Sequence, residues 1–171
     1  VRPTVQALEL GVRVTRRVPG VPPPAYYRAL WDYTGLIDRW IDYSFTLPAT
    51  LLMHSGARPA GAAQDDERVG VRFHSCQALT PETAESTHYF FQESHRAEQG
   101  GPDTTQRIFD GLLAAFLEDR QMIGAQWHNM ALPTDRPMLP LAMDAALMMF
   151  RRKLQTAVDA EASSAVAAST P

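Results

Sequence analysis

The sequence predicts an α+β domain in which a curved antiparallel sheet grips one long helix, with a further helix at the C-terminal end. Two observations carry this. Through residue 94, short runs of alternating apolar and polar side chains follow one another, as half-buried strands do. From residue 103 the period lengthens to that of a helix and stays so for more than twenty residues. Strands grouped first and helices last argue for α+β rather than alternating β-α units.

Leu8, Leu10, Val12 and Val14 alternate with polar neighbours and predict the first strand. The Pro-rich stretch 18–27 breaks it, and residues 25–33 fit a short helix or a covering loop equally well. Ile37, Ile41, Tyr43 and Phe45 share one side of a strand over 37–47, and 49–55 follows Pro48 as another. Residues 56–68 are a polar, turn-rich connection. Over 69–79, Val69, Val71, Phe73, Ser75, Gln77 and Leu79 lie on one face. The TPET of 80–83 interrupts, 86–94 is the next strand, and Glu82 and Glu85 read as turn and helix-start acids. Asp103 or Thr104 caps the long helix. A second helix spans 143–158, and the Ala/Ser-rich end has the composition of a frayed tail.

Composition bounds the function. The chain has 171 residues and a net charge of −3, enough for one domain with a core and without the basic excess that nucleic acid or an anionic membrane attracts. No apolar run approaches the roughly 20 residues of a membrane span. A single cysteine, Cys76, rules out an internal disulfide and suits the cytoplasm; with no obvious base beside it, it reads as a small structural residue. No P-loop, dinucleotide fingerprint or nucleophile elbow is present. The chain opens on Val1, without Met or a secretory signal, and reads as a piece of something longer.

On the long helix, Leu112, Phe116, Asp119, Ile123 and Trp127 fall on one side at about 100° per residue. A carboxylate in an apolar stripe needs a cation, a shared proton or rotation toward water. On periodicity alone a salt bridge or a rotated helix outweighs a metal.

Three stretches together carry a resemblance: IDRWIDYSFTLPATLLMHSG (37–56), LTPETAESTHYFF (79–91) and FLEDRQMIGAQ (116–126), with a weaker fourth at 135–154. In this order and spacing they resemble the C-terminal catalytic domain of Rieske-type non-haem iron oxygenases, in the vanillate O-demethylase and dicamba monooxygenase branch. The resemblance implies a START-like helix-grip fold. It divides the chain into residues 1–158, part of a substrate-binding catalytic domain, and a flexible tail, 159–171. It also implies a mononuclear Fe(II) held by two His and one carboxylate, and it assigns the carboxylate to Asp119, with Glu118 on a solvated side of the helix.

The chain departs from the family pattern in two places. The family's two His ligands lie in a D-x-x-H-x-x-x-x-H segment, and none of His54, His74, His88, His95 and His128 forms such a pair. His88 falls in the THYF strand, where the resemblance makes it structural. The C-x-H and C-x-x-H pairs of a Rieske cluster are also missing. The [2Fe–2S] cluster therefore belongs to an N-terminal domain outside this chain, and the fragment alone is expected not to turn over.

For the complete protein the resemblance implies O-demethylation or ring hydroxylation of an aromatic substrate with O2. Electrons would come from NAD(P)H through a reductase or ferredoxin, and the assembly would be a homotrimer. Substrate-facing candidates are Gln77, Leu51, Met53, Phe109, Leu112 and Phe116. Gln77 is the sharpest, because it is a polar group on the face of Val69, Val71 and Phe73 and, as the resemblance implies, falls about where dicamba-type relatives have a substrate-contacting His, although a Gln near a strand end also meets water as an ordinary surface residue. Residues 19–33, with Tyr26, Tyr27 and Trp31, read as a lid or as a plain connection. Two alternatives from other classes remain: a non-catalytic helix-grip domain that binds a small aromatic or hydrophobic ligand, and an assembly module with contacts at Met130, Met138, Met143, Met148 and Met149.

Overall fold

A computed structural model describes residues 2–63, 69–130, 132, 139 and 141–168. Six antiparallel strands form one sheet in sequence order: β1 (Thr4–Leu8), β2 (Gly11–Val21), β3 (Ile37–Thr46), β4 (Thr50–Pro59), β5 (Val71–Pro81) and β6 (Thr87–His95). Helix α1 (Ala25–Arg28) is one turn, α2 (Pro102–Met130) is the long helix, and α3 (Ala145–Ala168) follows a 3-10 turn. The α+β expectation stands, and α3 runs through the Ala/Ser-rich sequence to Ala168.

Strand boundaries differ from the sequence pattern in several places: β4 runs on to Pro59 through the expected connection, β5 starts at Val71 rather than 69, and two differences have a clear local cause. Residues 8–14 are not one strand: Leu8 pairs with Gly11, so Glu9 and Leu10 form a tight turn between β1 and β2. The apolar alternation crosses that turn because Leu10 sits at its exposed tip. Conversely, Pro19 does not end β2. A bulge between Val18 and Val21 absorbs it, Gly20 takes a positive φ of 62°, and its N–H donates to Asp38 Oδ1 at 2.9 Å.

The DRW triplet of residues 38–40 is therefore sheet-building chemistry. Asp38 holds the bulge and also accepts from Gly61 N at 3.4 Å. Arg39 lays its guanidinium 5.1 Å from the Tyr27 ring centroid, on the face that α1 covers. Trp40, on the opposite face, lies across Gly56, its direct partner on β4. The guanidiniums of Arg58 and Arg72 sit 5.5 and 5.3 Å from the indole. A Cβ at Gly56 would come within 2.3 Å of the Val71 carbonyl and 2.4 Å of the indole.

The core gathers at the α1 end of the inner face, where Tyr27, Ile37, Ala57, Val71, Phe73 and Ile108 bury one another. Tyr33 ties the loop before β3 to this region: its hydroxyl donates to Ala57 O (2.9 Å) and accepts from Val71 N (3.0 Å). Residues 25–33 thus form a helical turn and a packed connection, with Leu30, Trp31 and Tyr33 against the core. At the other end α3 covers β1 and β2, stacking Phe150 on Phe45 at 4.1 Å.

Gly56→Ala is expected to lower stability by about 1–3 kcal/mol, because the methyl meets backbone on one side and an indole on the other. Urea denaturation should show a lower midpoint with an unchanged slope; an unaltered midpoint would mean that the indole is not held across this strand.

Candidate functional site

Helix α2 is placed by its first turn. Pro102 occupies the first helical position, and the N–H groups of Thr104 and Thr105 reach the Gly101 carbonyl at 3.0 and 3.2 Å. The start thus lies just before the Asp103 or Thr104 cap that the sequence suggests, and Thr104 is buried instead. His95 Nε2 meets Thr105 Oγ1 at 2.8 Å, tying the end of β6 to the helix. Buried Gln99 accepts from Arg72 N (3.3 Å) and Arg96 N (3.1 Å).

Above this anchor, aromatic rings carry α2 along the sheet. Phe91 on β6 meets Phe109 at 5.9 Å and Phe116 at 4.8 Å, and Tyr89 meets Phe116 edge-on at 5.1 Å. Pairing sets a row of side chains across the sheet: Phe45, Leu51, Gln77 and Phe91 are successive cross-strand partners. The next row holds Tyr43, Met53, Ser75 and Glu93. Leu51 and Met53 are half-buried on the strip between the two helices.

Three of the six substrate-facing candidates, Gln77, Phe109 and Phe116, thus adjoin Phe91, and Leu51 lies in the same row two strands away. Met53 lies one row away, and Leu112 packs down against the core cluster. Gln77 is already engaged, its Oε1 accepting from the Tyr89 hydroxyl at 2.7 Å.

Asp119 lies at the far end of this wall. It is exposed, not core-facing. The apolar stripe is real, but among the described residues it is covered only as far as Phe116; Ile123 and Trp127 are 64% and 52% exposed. An open depression of about 630 Å³ follows this second half of α2, with Asp119, Met122, Ile123, Gln126 and Met130 in its lining. Burial and then the Asp119 charge raise the Tyr89 phenol above its usual range, which places the carboxylate within electrostatic reach of that hydroxyl.

Neither Tyr89 nor Glu93 stands out in the sequence, yet both belong to this face. Ser75 Oγ donates to Glu93 Oε2, and burial raises the Glu93 carboxyl from 4.5 to about 7. Burial and then Glu93 push the Tyr26 phenol upward. The signal was available: Tyr89, Phe91 and Glu93 alternate on one strand face, so Glu93 is an acid in an apolar row, the pattern that singled out Asp119.

The histidines go elsewhere. His54 and His74 stack at 4.5 Å on the opposite face of the sheet, and burial, followed by His74, lowers the His54 pKa. Cys76 shares that face, opposite Leu52. His88 lies 3.6 Å from Glu82, and His128 is exposed near the end of α2. Glu82 and Glu85 both belong to the β5–β6 turn, where Thr83 Oγ1 accepts from the N–H groups of Glu85 and Ser86. Among the described residues no group of three or more His, Cys, Asp and Glu could hold a metal ion. Asp119 offers at most one ligand, so these residues alone do not fit an iron centre. Met138 lies outside the described residues; Met143 is 80% exposed, and Met148 and Met149 are half-buried.

The family model for the vanillate O-demethylase oxygenase C-terminal domain matches residues 1–160. The chain belongs to this family. A putative toluene-4-sulfonate monooxygenase system iron–sulfur subunit from Comamonas testosteroni is 36% identical over 79% of this chain and 40% of its own length. The vanillate O-demethylase oxygenase subunit of Pseudomonas sp. (strain ATCC 19151) is 31% identical over 85% of the chain and 46% of its own length. The crystal structure of apo dicamba monooxygenase superposes with a TM-score of 0.74 at 20% identity, covering 94% of this chain and 50% of that one. The last likeness establishes the fold. This family member spans less than half the length of the curated relatives it matches. Among the described residues no helix is long and apolar enough to cross a membrane.

Glu93 generates a pH prediction. Its folded pKa of about 7 lies above the ordinary 4.5, so the folded state holds a proton that the unfolded chain has released. The carboxyl's contribution is fully present below about pH 4.5 and is lost as pH rises toward about 7. Denaturation between pH 4 and 8 should show this decline, and Glu93→Gln should flatten it; an identical profile in the variant contradicts the assignment.

Proposed function

We propose that this chain forms the substrate-facing sheet of a Rieske-type aromatic oxygenase and supplies Asp119 as one ligand of its mononuclear iron. The observation that carries this reading is the placement of Asp119 at the open end of the Tyr89–Phe91–Phe116 wall, in a chain of the vanillate O-demethylase oxygenase family. The other two ligands and the [2Fe–2S] cluster belong to the remainder of the complete protein. Residues 1–158 form its partial catalytic domain, and the chain alone is inactive. No reaction step is drawn through the iron, because the described residues do not assemble its site.

What these side chains do is enclose and orient. Phe109, Phe116 and Phe91 offer ring faces and keep water from one side of an aromatic substrate. Leu51 and Met53 form the floor, and Leu112 supports α2 from below. Gln77, with its oxygen held by Tyr89, presents its N–H groups to a substrate oxygen. The exposed stripe from Asp119 to Trp127 is where the rest of the domain packs, bringing the missing ligands toward Asp119. The complete oxygenase is a cytoplasmic homotrimer that draws electrons from an NAD(P)H-dependent reductase or ferredoxin and hydroxylates or O-demethylates its aromatic substrate.

Asp119→Ala in the complete oxygenase tests the central claim. Iron content and turnover should both fall by at least about tenfold, with stability changed by less than about 0.5 kcal/mol because the side chain is exposed. Retained iron and activity would remove Asp119 from the centre. Tight binding of an aromatic ligand by a protein that never takes up iron would favour the non-catalytic helix-grip reading instead.

A further inference from the structure

We propose that Glu93 is a specificity-determining residue which, with Ser75, selects aromatic substrates carrying an uncharged hydrogen-bonding group over those that direct an anion at the β5–β6 wall. This deepens the oxygenase reading and rests on it, since it assumes that the inner face is the substrate surface.

Glu93 lies on β6, in the row next to that of Gln77 and Phe91. Its described contacts are uncharged. From β5 the Ser75 hydroxyl donates to it; from α1, Tyr26 and Tyr27 lie within electrostatic reach. Tyr43 on β3 ends the same row, and His95, two residues along β6, is held by Arg96 O and Thr105. No ion pair reaches Glu93 among the described residues. The guanidiniums that act on this face sit elsewhere: Arg39 lies over Tyr27, and Arg16 influences Tyr43.

The wall is thus a polar strip of Gln77, Ser75 and Glu93 between aromatic rings, with Asp119 at one end and, among the described residues, no ion pair to either acid. A phenol or amide suits this strip in both protonation states of Glu93. It donates to the carboxylate, or it accepts from the acid. A substrate anion can approach only a protonated Glu93, and the pair then holds one uncompensated charge in a partly desolvated place.

Two probes with the same ring test this: 2-methoxyphenol, which is neutral, and 4-hydroxy-3-methoxybenzoate, which adds a carboxylate. Calorimetry at pH 7.5 should give about tenfold tighter binding of the neutral probe, about 1.4 kcal/mol. Glu93→Gln removes the like charge and adds an N–H donor, so the difference should shrink to about threefold or less through a gain for the benzoate. Ser75→Ala is the second variant; freeing the carboxyl from its hydroxyl partner should alter the same ratio. Tighter binding of the benzoate by the native protein overturns the proposal and leaves the substrate face intact, as does an unchanged ratio in the variants. If neither probe binds, the inner face is not the substrate surface, and both readings fall. Should Glu93→Gln fail to fold, the native ratio and Ser75→Ala still decide.

Discussion

The arrangement depends on one contact: the Trp40 indole packed over Gly56, with Arg58 and Arg72 near its ring. It fixes the register of β3, β4 and β5 in a single row, since Arg17, Trp40, Gly56 and Arg72 are successive partners. Register matters because a slip of one residue turns every side chain to the other face. Such a slip would exchange Leu51 and Gln77 for Leu52 and Cys76, and the inner wall would vanish. The contact therefore lies on the side of the sheet away from the site and still determines what the site contains.

The two long helices divide the inner face between them. α3 closes the β1–β2 end through Phe150, and α2 closes the β5–β6 end through Ile108 and the Phe109–Phe91–Phe116 rings. Between them Leu51 and Met53 stay half-covered, and the polar strip of Gln77, Ser75 and Glu93 borders the gap. Hydrogen bonding within the strip, from Tyr89 to Gln77 and from Ser75 to Glu93, fixes which ends of these groups remain for a ligand.

Much of this was legible in the sequence. Alternation over 37–47 and 69–79 located β3 and β5, and it put Gln77 on the face of Val71 and Phe73, because strand period and burial agree there. The pattern failed where local backbone chemistry outweighed it: at Leu10, an apolar residue on a turn tip, and at Pro19, which a bulge accommodates. Helical period found the stripe holding Asp119, but a stripe says only which side is apolar, and among the described residues its second half stays exposed. Glu93 escaped notice for a different reason. The Tyr89–Phe91–Glu93 alternation marks it as an acid in an apolar row, but how far the carboxyl is enclosed depends on its pairing with Ser75 across the strands, which a single sequence does not reveal.

Helix α2 also behaves as a cantilever. Its clamp is the first turn, at Gly101 and Thr105, while Asp119 stands about 27 Å further along at 1.5 Å per residue. A tilt of about 2° at the clamp would move the carboxylate by roughly 1 Å, a displacement large enough to weaken chemistry that depends on position. The Phe116 ring, wedged between Tyr89 and Phe91 one turn before Asp119, is the prop that damps such movement. The packing of that one ring thus sets the tolerance to which the carboxylate is held.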